Sequence, residues 1–238
     1  MNKIIRLSFY ELKKIFIRPY IYLGLLFAAT AAFAMTYLAK TNPQLFHMRN
    51  VYAVFADISE IMIFIFAAKN LSDDIVYKTA SIIFTKSVSR AGLVVYRIIS
   101  LGLLGLAIGI CLSAVTVISS LILAVWTGIM DILKVLFIYM LYSLCVGGFA
   151  ILTTIRFKSF IGSFASCLGT FWFIKNILAF LGEKDYISET VLSFIPFYTA
   201  SDFLHIYVFG MNEIIGLFAG TIIFMASAAF YIGKVDIY

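Results

Sequence analysis

Six transmembrane helices in an all-α integral membrane protein are what this sequence calls for. The chain is 63% hydrophobic and only 13% charged over 238 residues, against about 45–50% apolar and about 25% charged in an ordinary soluble domain. Its mean hydropathy is +1.05. Its apolar residues gather into six runs, each near or above the roughly 20 residues a helix needs to cross the hydrocarbon core. A water-soluble globular fold is excluded. The connections between the runs are too short for a folded extramembrane domain, so residues 1–238 read as a single transmembrane domain.

The first element, residues 3–18, is an amphipathic helix. Ile5, Phe9, Leu12 and Phe16 form an apolar stripe, and Lys3, Arg6, Tyr10, Lys13 and Lys14 line the other side, a pattern that lies flat on an anionic membrane surface. Pro19 breaks it before span 1, residues 20–39. A basic head, an apolar run and Ala32-Phe33-Ala34 imitate a secretory signal. The run is longer than a signal core and its head is patterned, so it is expected to stay as a span.

Asn42-Pro43 turns the chain back into span 2, residues 51–68, which carries Asp57 and Glu60. Residues 69–93 are the most hydrophilic internal stretch. Span 3, residues 94–125, is long enough to tilt. Gly128 to Asp131 forms a short turn before span 4, residues 132–154, and Arg156 and Lys158 mark the next turn. Span 5, residues 159–181, is interrupted by Lys175; span 6 covers 214–233. Residues 190–210 are apolar enough for a seventh span, but Pro196, Asp202 and His205 speak against a lipid-facing helix there.

There are 18 Lys and Arg against 12 Asp and Glu. With six spans, Lys40, Arg49, Lys134, Lys175 and Lys184 fall on the side away from the N-terminus, and the other thirteen on its own side. That asymmetry is expected when both termini are cytoplasmic, so the net charge of +6 is read as topology and not as a nucleic-acid footprint. Cys111, Cys145 and Cys167 lie in apolar runs without metal-ligand or paired-loop spacing. The chain has no phosphate-binding loop, no H-E-x-x-H and no G-x-S-x-G. No catalytic residue, metal or cofactor is therefore expected on it. Uphill movement of a solute would need a partner chain or an ion gradient.

Asp57 and Glu60, three residues apart, share a helical face. Asp57 and Lys175 each lie about six residues from the outer end of their spans, roughly 9 Å deep. Intramembrane charges usually face protein or water, so Lys175 pairing with Asp57 or Glu60 as a gate or part of a substrate path is one reading; snorkelling of all three to the outer interface is the other. Phe194, Pro196, Tyr198 and Asp202 belong to an aromatic outer segment that reads either as a headgroup-level anchor or as an external lid. Gly147-Gly148, Gly162 and Gly169 allow close helix approach.

The stretch between spans 2 and 3 contains Asp73, Asp74, Lys78, Thr79, Ile83, Phe84, Lys86 and Arg90, and Arg97 follows at the opening of span 3. Its apolar centre, Ala80 to Phe84, with a charged rim suits docking into a cleft of a soluble partner, or binding of lipid headgroups. It resembles the permease subunits of ABC-2-type transporters, in which an acidic residue precedes a Gly-Thr step, a short apolar helix, a Pro-Val-Ser-Arg-like turn and a basic residue. Asp74, Thr79, Val88-Ser89-Arg90 and Arg97 match that pattern; Lys78 stands at the usual glycine and Ser87 at the usual proline.

The amphipathic helix before span 1 and the outer segment between spans 5 and 6 also resemble that family. The resemblance implies a bacterial plasma-membrane exporter of peptides, antimicrobials or other amphipathic compounds, including lantibiotic-immunity-like systems. It implies a second permease chain, identical or related, and separate ATPase subunits that hold ATP and Mg. The alternatives are a substrate-capture subunit of a vitamin importer and a self-contained ion-coupled carrier.

Overall fold

The computed structural model describes residues 3–76, 89–206 and 210–234, and of residues 3, 74–76, 90, 201–203, 205 and 206 the backbone alone. Among the described residues the secondary structure is helical, without strands. The amphipathic helix α1 spans Lys3–Phe16. Arg18 is extended and Pro19 opens α2, Pro19–Thr41, where its missing N–H and fixed φ cost nothing. Helix α3 covers Met48–Val76. Helix α4, Arg90–Leu123, starts at Ser89, whose Oγ accepts from the Gly92 amide at 3.1 Å, and stops at Ala124 in the left-handed region (φ 53°).

The Gly128 amide donates to the Asp131 carboxylate at 3.1 Å and starts α5, Ile129–Phe157. Lys158, again left-handed, ends it. Ser159 caps α6, Phe160–Leu168, which runs on through a π-helical segment, Gly169–Ile174, into α7, Lys175–Glu183. The short α8 (Glu189–Leu192) and α9 (Pro196–Ile206) precede α10, Met211–Lys234.

Six of these stretches are long and apolar enough to cross a membrane: α2, α3, α4, α5, the continuous α6–π–α7 unit and α10. The protein is an all-α membrane protein with the six spans expected. Among the described residues, the 190–210 stretch supplies no seventh. Its longest helix, α9, has 11 residues, a length of about 16 Å, half of what a crossing requires.

The spans are not equivalent. The most apolar window is 61%, 56% and 67% buried in α3, α4 and α5, but 22% in α2, 11% in α6–π–α7 and 33% in α10. Helices α3, α4 and α5 thus form a hub, with the other spans ranged around it. Small residues set the closest approach: a Cβ on Gly105 of α4 would overlap the Tyr139 carbonyl and the Ser143 side chain of α5. At Gly216 of α10 a Cβ would lie 2.6 Å from the Phe194 carbonyl oxygen. Of the glycines read from sequence, Gly147 meets Leu101 and Gly148 meets Phe224, whereas Gly169 faces open space.

Helix α1 departs from its two-sided reading. Ile5 and Phe9 of the expected stripe stay exposed, and Leu12 and Phe16 are half-buried. The face turned to the protein is a third one, made of Ile4, Leu7, Ser8, Glu11 and Ile15, and it packs mainly on α4. At about 100° per residue the three faces follow one another around the helix: protein, apolar, basic.

Candidate functional site

Among the described residues, two clusters built around a buried charged residue, Arg97 and Glu60, stand out in the apolar bundle. The first lies where α1, the C-terminal part of α3 and the N-terminal part of α4 converge. Arg97 is buried to 1% exposure. Its Nη1 lies 3.3 Å from Glu11 Oε2 and donates to both the backbone carbonyl and the side-chain oxygen of Asn70. Ser100 Oγ donates to the Arg97 carbonyl at 2.7 Å, and Ser8 Oγ to the Tyr96 carbonyl at 3.0 Å. A buried guanidinium persists only with such a shell of acceptors.

A second ion pair lies beside it. Arg18 Nη2 meets Asp73 Oδ2 at 2.8 Å, and Arg18 Nη1 donates to the Tyr20 hydroxyl at 2.6 Å. Burial pulls the Arg18 pKa down, but the bonds to Asp73 and Tyr20 outweigh it and the guanidinium is held charged. The Tyr20 ring stacks on Phe66 at 5.6 Å and receives Lys69 Nζ at 5.3 Å. Helix α1 and the turn after it are thus ion-paired to both helices that bracket residues 77–88.

Of the residues singled out by sequence in this region, the structure brings Asp73 and Arg97 into the cluster. Asp74 lies on α3 and Arg90 opens α4, with their backbones alone described. Lys78, Thr79, Ile83, Phe84 and Lys86 lie outside the described residues. Glu11, Arg18 and Asn70 were missed as partners. The signal for Glu11 was present: it is the single acid of an otherwise basic helix, in register with Ser8 and Ile15.

The second cluster lies inside the bundle. Glu60 is fully buried; its Oε1 accepts from the Tyr142 hydroxyl at 2.5 Å and its Oε2 from the Trp172 indole N–H at 2.9 Å. Because α3 starts at Met48, Asp57 and Glu60 lie about 14 and 18 Å along it. Their shared face divides: Asp57 is exposed and Glu60 enclosed. Snorkelling is therefore overturned for Glu60, whose carboxylate is bonded inward. The segment of span 5 that meets Glu60 is the π-helical turn. Trp172 makes the contact, one turn before half-buried Lys175. A π turn is wider than an α turn and often marks functional positions; no residue pattern announced this one.

The segment between spans 5 and 6 reaches into the same cluster. Phe197 of α9 packs edge-to-face on Phe171 (5.5 Å) and Phe149 (5.6 Å) and stacks on Phe224 (5.6 Å). Phe171 in turn touches Tyr142 and Phe64. Pro196 closes on Gly220 of α10, Phe194 is 44% exposed and Tyr198 half-buried. The Asp202 side chain lies outside the described residues. Helix α9 is thus seated on the bundle through Phe197.

No protein-family model matches the chain, and no curated protein matches it significantly.

Proposed function

We propose that this chain is the membrane-spanning permease subunit of an ATP-driven ABC-2-type transporter that exports a peptide, antimicrobial or other amphipathic compound from a bacterium. In this reading both termini are cytoplasmic, a second permease chain completes the pathway, and separate ATPase subunits hold ATP and Mg and dock on residues 77–88. One observation carries it. The helices on either side of that stretch are both ion-paired to the N-terminal surface region, Asp73 through Arg18 and Arg97 through Glu11. A push delivered between α3 and α4 would therefore move α1, α3 and α4 together, as a rigid-body transmission requires.

The test is copurification. The tagged chain, isolated from its host in mild detergent, is expected to bring with it a Walker-type ATPase, and Phe84→Asp is expected to lose it while the chain stays folded. A wild-type chain that purifies without an ATPase overturns the proposal. Buried Glu60 favours an ion-coupled carrier as the second reading, which predicts that outcome together with transport that collapses in Glu60→Gln.

A further inference from the structure

Helix α1 has a use beyond transmission. Its basic face carries Tyr10, Lys13 and Lys14, all exposed, and with Ile17 and Arg18 just beyond the helix they line a groove of about 340 Å³. A smaller hollow adjoins it, where Lys14, Arg18 and Lys69 are balanced by Glu11 and Asp73, so the phosphate is assigned to the outer groove and not to this one. Lysines, an arginine and a phenol on one rim form a phosphate-binding set, and Ile17, 71% exposed, supplies an apolar floor. The neighbouring face of the same helix presents Phe9 and Ile5, 51% and 41% exposed. Such a helix offers acyl chains one side and a headgroup the other.

We propose that this groove is a headgroup site for an anionic phospholipid, with the phosphate against Lys13, Lys14 and Arg18 and the acyl chains along Phe9 and Ile5. The charge complementarity is specific to a lipid because the basic residues are continuous with an exposed apolar stripe, which a nucleic acid or an acidic peptide would leave in water. Occupancy is sensed by α3, since Arg18 also bonds Asp73 at 2.8 Å. The site stands independently of the transporter reading.

The test is lipid binding to the purified full-length chain, by native mass spectrometry and thermal shift, with phosphatidylglycerol, phosphatidylcholine and inorganic phosphate. Phosphatidylglycerol is expected to bind and stabilise at least tenfold better than phosphatidylcholine. The Lys13→Gln/Lys14→Gln pair is expected to lose about thirty-fold in that affinity, from the worth of two cations near an anionic headgroup, with an unchanged lipid-free melting temperature. A charge-matched Arg156→Gln/Lys158→Gln control is expected to retain it.

Equal binding of the two lipids, or an equal loss in the control, would show diffuse charge attraction only and overturn the site. Equal stabilisation by inorganic phosphate alone would make it a free-anion site and overturn the lipid assignment.

Discussion

Arg97 is a charge enclosed in protein, where desolvation is expensive, and its Nη1 is faced by Glu11 and two oxygens of Asn70. Removing one partner of such a pair costs about 3–5 kcal/mol, because the other charge stays buried. Glu11→Ala is therefore expected to lower stability by about that amount, and Glu11→Leu with Arg97→Met to recover most of it. Thermal unfolding in detergent of the single and double variants checks this; an innocuous Glu11→Ala would remove the pair from the account. Arg97 was legible in the sequence because an arginine opening a long apolar run needs a reason. Glu11 was not, since a pattern drawn with two faces hides a residue that points to a third.

Among the elements, the six spans were readable from composition alone, because a bilayer admits only long apolar helices or closed barrels. Their ends were not. The hydrophilic shoulders of α3 and α4 continue the helices to Val76 and back to Arg90, and hydropathy falls off before helical structure does. The π turn was hidden for another reason: it changes the pitch of span 5 without changing its residue character, and its effect is to bring Trp172 to Glu60.

The same local physics separates two glycines of one sequence type. Gly105→Ala is expected to destabilise by about 1–3 kcal/mol, because its Cβ would overlap the Tyr139 carbonyl. Gly169→Ala is expected to be neutral or slightly stabilising, since its backbone is helical and its surroundings open. Paired thermal melts decide it; equal losses would show that α4 and α5 can part to admit a methyl group.

At the scale of the whole molecule, burial grades from the α3–α4–α5 hub to the thinly covered span 5. Orientation follows from charge: Arg156 and Lys158 are expected on the cytoplasmic side, Lys184 outside. Lys184→Cys, in a background lacking the native cysteines, is expected to react with a membrane-impermeant maleimide in intact cells, and Lys158→Cys to react only after lysis. The reverse pattern would invert the molecule and put α1 outside. This grade was legible only in part: α4 and α5 of the hub are the most apolar spans and span 5 the least, but α3 is about as apolar as α2 and α10 and still sits in the hub.

The bond between Glu11 and Arg97 also has a direction in time. Translation runs at about 5–20 residues per second, so several seconds separate the synthesis of the carboxylate from that of its guanidinium, with two whole spans made in between. During that interval α1 lacks α4, the helix on which its inner face mainly packs, and has only α2 and α3 beside it. Its buried carboxylate stays without the guanidinium that answers it until the third span arrives and that charge is delivered.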